Sequence, residues 1–515
     1  MTDTTGGVCV ADSLRDARVA LRAALYDAAL ELLNGCEDWP AEFAEPAVIL
    51  KAETLGRRDP VGAASYLSTV ADLVSSPAQR FDLAIQFGKA HAAVRAFSQA
   101  ESRYAEAREL MHAAPNGAAT MAYHDLRMHW FRRECEAGAR EAELAIAHPD
   151  PSIASAAYAF RAWMRAGCGD YAAHVADLRK AVAFATAPGA ETADVATLAT
   201  SIHALAQVGF EMADGGAVAA ARTASDALAW TPDVARHRYT TVRAFGWDAF
   251  MRGRPGEAQW AFKDARALAP TLAWRVMAHL DRAYVARFTG NEFWTAEELA
   301  QADALAYDVR WGSTHDEERQ LLVLFAVLHA QTDAPRAQRY AAMYSQIGTE
   351  NVDPNLGVYG DPRATAFQRY AEGRIEQTLG RKGAAVAALE EAYRIFDAAS
   401  YRFRASLAAS ALAELTGEEG WRAAAVHHAG FYPDCPLGPL ADRSAVRENE
   451  MPLQLSPLQR QIARALWSGA DTPELSRRFS RSTFTIQNQI ATVLQAFGVA
   501  NRAELLEEAR RRRLA

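Results

Sequence analysis

The chain has 515 residues, half of them apolar, and a formal charge of -8 from 55 basic and 63 acidic side chains. That length excludes a single hydrophobic core; at about 150 residues per domain the chain makes two to four domains or one extended array. Ala recurs throughout, Gly and Pro fall mainly between periodic segments, and no run of alternating β-branched residues bounded by turn signals occurs, so an all-α fold is expected.

The opening MTDTTGGVCVADSLRDARVAL lacks a basic start followed by an apolar run. No window approaches the roughly 18 uninterrupted apolar residues of a bilayer span, so a cytoplasmic protein with no membrane contact is expected. Cys9, Cys36, Cys135, Cys168 and Cys435 are scattered and form no CxxC pair. They read as reduced thiols rather than as a disulfide framework or a zinc site.

From residue 12 to 433 one pattern recurs: an amphipathic segment, a short Gly, Asp or Pro break, then another amphipathic segment. Gly88, Ala100, Tyr104 and Ala107 are separated by 12, 4 and 3 residues, as are Gly246, Ala258, Phe262 and Ala265, and again Gly373, Ala385, Leu389 and Ala392. In a helical hairpin, Gly and Ala let two helices approach closely, and the large residue is expected to fill the space between repeats. The stretch from Thr241 to Pro270 is the best copy, with Gly246, Gly253, Ala258, Phe262, Ala265 and Pro270 in place. It resembles the tetratricopeptide repeat, departing from that family at Val242 and Ala249, where Trp and Tyr are preferred. The resemblance implies about ten helix pairs of about 35 to 45 residues stacked into a superhelix. Its concave surface is expected to take an effector, whether protein, peptide or small molecule. Trp130, Trp163, Trp247 and Trp260 read as packing between helices.

Residues 434 to 454 are rich in Pro, Gly and charge and read as a linker. Beyond it the charge changes sign: residues 451 to 515 hold ten Arg against five acids (+5), while the remainder holds 45 cations against 58 acids (-13). Nucleic acid is thus a plausible partner for one end only. The same split raises the hypothesis that the acidic body folds back over the basic end.

Four helices are expected there. Ser456, Pro457 and Gln459 form a capping box at the first, whose buried face is Leu458, Ile462 and Leu466. Thr472 starts the second, which runs to about Phe479, and Ser482 starts the third. Ile486, Ile490, Val493, Leu494 and Phe497 then face inward and Thr483, Phe484, Gln487, Asn488 and Gln495 outward, with Gly498 closing the helix. Asn501 and Glu504 open the fourth, which ends in Arg510 to Arg513. Two short helices joined by a tight turn, the second with a polar outer face, suit entry of one helix into the major groove.

Residues 455 to 515 resemble the LuxR-type (NarL- or GerE-type) DNA-binding domain. Leu455, Pro457, Gly469, Glu474, Arg478, Ser482, Thr485, Leu494, Gly498, Val499, Arg502, Glu504 and Leu505 stand on matching positions. The resemblance implies double-stranded DNA as partner, Thr485 near a phosphate, and Gln487, Asn488 and Gln489 at base edges beside Thr483 and Phe484. Arg477, Arg478, Arg481 and Arg502 suit phosphates chemically. The family's fourth helix forms a homodimer contact on DNA, carried over to Leu505, Leu506 and Ala509. Gln487 and Gln489 replace the Lys and His common in the family, and Thr472-Pro473 replaces Asn-Lys. Fewer cations imply a shallower salt dependence. For the last arginines, a solvated helix end that complements the macrodipole stands beside direct phosphate contact.

No G-x-x-x-x-G-K-[ST] motif occurs, and no α/β receiver pattern opens the chain. The sequence resembles the repeat and C-terminal parts of the large maltose-regulator-like proteins without their ATPase. His124 with His129, and Cys168 with His174, lack the spacing of a metal or catalytic site, so no enzyme, metal site or cofactor is expected. Two readings stand: a transcription regulator, and a repeat-protein adaptor whose degenerate helix-turn-helix contacts protein.

Overall fold

The computed structural model describes residues 4–36, 39–132, 134–187, 194–289, 291–309, 311, 316–330, 332–346, 362–432 and 455–511. The expected linker 434 to 454, Arg512 and Arg513 lie outside the described residues. Every regular element among the described residues is helical, and no helix there is long and apolar enough to cross a membrane.

Among the described residues eleven helix pairs follow one another, one more than the sequence suggests. They are α1 (Thr4–Arg22) with α2 (Tyr26–Asn34), α3 (Ala41–Arg58) with α4 (Pro60–Val70), α5 (Pro77–Ala93) with α6 (Phe97–Leu110), and α7 (Gly117–Arg132) with α8 (Cys135–Ile146). Next come α9 (Pro151–Gly167) with α10 (Tyr171–Ala183), α11 (Val195–Glu211) with α12 (Gly215–Ala227), α13 (Ala235–Met251) with α14 (Pro255–Leu268), and α15 (Leu272–Phe288) with α16 (Glu292–Ala306). Last are α17 (Asp316–His329) with α18 (Ala334–Gln346), α19 (Pro362–Thr378) with α20 (Lys382–Ala398), and α21 (Arg402–Thr416) with α22 (Glu419–Ala429). Four shorter helices close the chain: α23 (Pro457–Trp467), α24 (Thr472–Arg478), α25 (Thr483–Phe497) and α26 (Arg502–Arg511).

Local chemistry sets where these helices start. Asp59, Ser76 and Asp150 each precede a proline at the first helical position and accept a hydrogen bond from a backbone N–H of the first turn, which satisfies a donor the helix leaves unpaired. In seven of the pairs the residue two before the second helix is left-handed: Ala24, Arg95, Gly169, Ala213, Gly253, Gly380 and Gly417 all have positive φ.

The glycine spacing has a direct steric cause. A Cβ on Gly88 would lie 2.3 Å from the Tyr104 ring, on Gly246 2.7 Å from the Phe262 ring, and on Gly373 2.5 Å from Leu389. The flanking Ala100, Ala107, Ala258, Ala265, Ala385 and Ala392 are all fully buried. The large residue therefore covers the glycine of its own hairpin, where the sequence had suggested the space between repeats. Tyr104 also reaches the next pair, stacking on His124 at 5.3 Å.

The chain packs as two compact units. In the first, built from residues up to Leu205 with Ala219–His237, the chain closes on itself. Arg22 binds Asp150 at 2.7 Å, Arg57 binds Asp194 at 3.1 Å, and the Thr231 hydroxyl donates to the Ala24 carbonyl at 3.1 Å. Trp130 packs against Phe160 and Trp163 at 5.6 and 5.8 Å, as expected of core aromatics. His124 is buried, His129 sits between Glu134 and Glu141, and the His174 Nδ1 lies 2.8 Å from the Ala162 carbonyl oxygen.

The second unit takes Ala206–Val218 and the chain from Arg238 onward. It too is closed by contacts between distant segments. Arg404 binds Glu211 at 2.9 Å, the Tyr432 hydroxyl donates to the Phe210 carbonyl, and the Trp247 ring lies 5.4 Å from Phe403 and 5.4 Å from Tyr284. The four C-terminal helices belong to this unit: Ile462, Leu466, Leu475, Ile486, Val493 and Phe497 share one apolar cluster with Ala286 of α15 and Trp294 of α16.

Candidate nucleic-acid interface

Caps fix the C-terminal helices in register. Ser456 and Gln459 form the expected capping box on α23. On α24 the cap is Asp471, one residue before the expected Thr472, and its box partner is Glu474. Asp471 prevails because its carboxylate accepts from the Glu474 N–H at 2.9 Å, leaving Thr472 in the first turn. The turn into α25 passes through Ser480, left-handed at φ +49, and Ser482 then caps α25 by accepting from the Thr485 N–H at 3.1 Å. Gly498 ends α25 in the left-handed region at φ +70. On α26 Asn501 caps Glu504, whose carboxylate accepts from the Ala500 N–H.

This framework turns Ile486, Ile490, Val493 and Phe497 inward, with Leu494 half-buried. Thr483, Phe484, Gln487, Asn488 and Gln495 stand exposed along the opposite face, and Phe484 keeps 72% of its surface open. Thr485 is half-buried, its hydroxyl 2.8 Å from that of Ser482. Gln489 does not join the open row: it is half-buried and its side-chain carbonyl accepts from the Gln459 amide at 3.0 Å. Of the three amides expected at base edges, the fold thus leaves Gln487 and Asn488 exposed. Such amides can pair bidentately with adenine, and the positive end of the α25 dipole points the same way as its capped N-terminus.

The arginines divide. Arg481 is exposed beside the start of α25. Arg477 is exposed but lies 3.9 Å from Glu297. Arg478 is half-buried over the Phe293 ring at 4.5 Å, and its Nη1 has no hydrogen-bond partner among the described residues. Burial brings its pKa down to about 10. Arg502 is half-buried and donates to the Thr472 hydroxyl; burial lowers its pKa as well.

Of the residues assigned to a dimer contact, Leu505 and Ala509 are fully buried in the core of the four helices. Leu506 is half-buried against α14, where a Cβ on Gly256 would come within 2.8 Å of it.

Three contacts on the same side carry no sequence signal. Lys263 of α14 pairs with Asp471. Arg282 of α15, with no exposed surface, binds Glu298 at 2.6 Å and lies 3.5 Å from Glu474, while its Nε donates to Gln259 at 3.0 Å. Trp260, expected as packing between helices, lies half-buried beside Gly469, under the Lys263 ammonium at 4.7 Å from its ring.

No protein-family model and no curated protein matches the chain. Solved structures do. The apo form of the quorum sensor NprR from B. thuringiensis is 14% identical, covering 80% of this chain and 98% of that one at a TM-score of 0.33. The APC/C hetero-tetramer Cut9-Hcn1 is 12% identical, covering 97% and 89% at 0.27. Naa15/Naa10 bound to HypK-THB is 12% identical, covering 98% and 96% at 0.21. These TM-scores are low, and it is the chain's own hairpins that make it an all-α helical-repeat protein.

Proposed function

We propose that the chain is a cytoplasmic transcription regulator of the LuxR-type class. Helix α25 reads the major groove of double-stranded DNA as a homodimer, and the helix pairs bind an effector without catalysing a reaction. The supporting observation is the open row of Thr483, Phe484, Gln487 and Asn488 on a capped helix that follows a short helix and a tight turn. Selection of random duplex DNA by the full chain tests it, with an enriched pseudo-palindrome as the expected result. Asn488→Ala or Gln487→Ala then shifts the preferred base, at a cost of about 1 to 3 kcal/mol for each bidentate pairing with a base that the variant can no longer make, while Arg481→Ala weakens every sequence alike. Equal losses on all sequences for both classes of variant refute the reading.

Two observations favour an adaptor instead. Helix α25 carries no Lys, Arg or His, and Phe484 offers an exposed aromatic ring of the kind that anchors protein partners. Absence of any enriched duplex, with a protein partner released by Phe484→Ala, would select that reading.

A further inference from the structure

The surface that α14, α15 and α16 present to the C-terminal helices has a definite charge order. Lys263 faces Asp471, Arg282 faces Glu474, and Glu297 faces Arg477. At its apolar centre Gly256 lies under Leu506 and the Trp467 carbonyl: a Cβ there would come within 2.8 Å of Leu506 and 2.3 Å of that oxygen. From the other side, a Cβ on Gly469 would lie 2.7 Å from Gln259. Neither backbone tolerates a side chain at the contact, so the fit is close.

The face turned to the repeat helices carries the acids Asp471 and Glu474 and the apolar Leu506, with Arg478 half-buried over Phe293 and Arg477 exposed at its edge. A face that holds both charges beside an apolar residue has the groups with which a second copy can pair acid to base across a two-fold axis, as an isologous interface requires. The repeat helices offer it the charges that a second copy would offer. Among the described side chains elsewhere on α26, Ala503, Glu504 and Glu507 are exposed, and two like-charged carboxylates repel their equivalents.

We propose that α14, α15 and α16 occupy the dimerisation face of the C-terminal helices, so that a second copy of this chain and the repeat helices compete for it. This rests on the reading of a DNA-bound homodimer, and it makes the docked chain a monomer whose α25 stays open to solvent. Self-association requires the C-terminal helices to leave α14. An effector that favours the released state shifts the equilibrium only by its differential affinity for the two states.

Two full-length variants test this without DNA. Gly256→Val places side-chain atoms where the Trp467 carbonyl and Leu506 lie, and Lys263→Glu sets like charges against Asp471. Amide hydrogen exchange at residues 256 to 263 and 467 to 475 is expected to rise in both. Sedimentation is expected to show self-association at least about tenfold tighter than in the wild type. Adding Leu506→Asp to Gly256→Val is expected to return the chain to monomer. Unchanged exchange in both variants would show that the repeats do not hold this face. Raised exchange with unaltered self-association would show that the face is not the dimer contact. Duplex selection decides the DNA reading separately, since a variant that opens and dimerises yet enriches no sequence refutes that reading and leaves the competition standing.

Discussion

In the first compact unit the ion pairs Arg22–Asp150 and Lys89–Glu53 keep between 22% and 32% of their side-chain surface open. In the second, the carboxylates of Glu211 and Asp281 have none, although their partners Arg404 and Arg243 retain 23% and 19%. Aromatic packing makes the difference. Phe403, next to Arg404, is wedged between Phe210 and Trp247 at 5.5 and 5.4 Å. An ion pair that stays wet gains little from Coulomb attraction, while a carboxylate sealed among aromatic rings depends on the few donors that reach it, for Glu211 the Arg404 guanidinium and the Gln207 amide at 3.2 Å. Within one helix-pair architecture, the Arg22–Asp150 closure of the first unit therefore stays wet, while the Arg404–Glu211 closure of the second buries its carboxylate.

Deleting one arginine from each unit tests that contrast most severely. Arg404→Ala leaves Glu211 in the dry interior with the Gln207 amide but without its bound guanidinium, and is expected to cost about 3 to 5 kcal/mol, as for other broken buried pairs. Arg22→Ala leaves Asp150 with the Ser152 N–H and water and is expected to cost at most about 1 kcal/mol. Urea unfolding of the full chain, followed by both fluorescence and amide exchange within each unit, measures both. Equal losses would mean that the two closures are energetically alike and the aromatic seal is irrelevant.

A pH series sharpens the picture inside the first unit. Burial, reinforced by the neighbouring Glu53 carboxylate, pushes Asp82 up to about 6, whereas the Lys89 ammonium holds Glu53 down to about 2. A carboxyl whose folded pKa is raised stabilises the fold only while it is protonated. The Asp82 contribution is complete below the unfolded value of 3.8 and is lost as pH rises through about 6. Glu53 works the other way: its contribution is present above 4.5 and is lost as pH falls towards about 2. Asp82→Asn is therefore expected to stabilise the chain by about 1 to 2 kcal/mol at pH 8, after allowance for partial solvent access, and to have no effect at pH 3.5. Denaturation midpoints at those two pH values check it. No gain at pH 8 would mean that the Asp82 carboxylate is solvated.

What the sequence made legible follows from how local each cause is. The Gly88, Gly246 and Gly373 spacing is readable because a helix crossing that admits no Cβ leaves a fixed interval to the ring or leucine that covers it. Ser456, Ser482 and Gly498 are readable because caps satisfy backbone groups within four residues. Thr472 misled by one position because Asp471 and Thr472 can each cap, and only the backbone geometry chooses. The closures were not legible. Arg404 and Glu211 are 193 residues apart and Arg22 and Asp150 are 128 apart, with no local pattern marking either. The candidate interface was legible in part: period and polarity exposed Gln487 and Asn488, but the hydrogen bond that removes Gln489 comes from a residue on another helix, Gln459. Docking of Arg282 on Glu474 was hidden for a related reason, since Arg282 follows His279 and Asp281 on α15 like any polar stretch of a helix, while its contact with Glu474 comes from a segment 192 residues later (474 minus 282).

The smallest expected effect concerns the turns that the two units share. Arg95 in the first unit and Gly253 in the second both stand two residues before the second helix of a pair, at φ +63 and +70. A side chain in the left-handed region costs about 1 to 2 kcal/mol through the clash of Cβ with the following carbonyl, and glycine recovers most of this while losing more entropy on folding. Arg95→Gly is therefore expected to stabilise the chain by about 0.5 to 1 kcal/mol, and Gly253→Ala to destabilise it by a similar amount. Melting curves of the two variants check the pair of signs. If Arg95→Gly is destabilising, the arginine contributes more through the contacts of its side chain than its backbone conformation costs. That turn would then be held by its side chain, whereas the turn at Gly253 is held by its backbone.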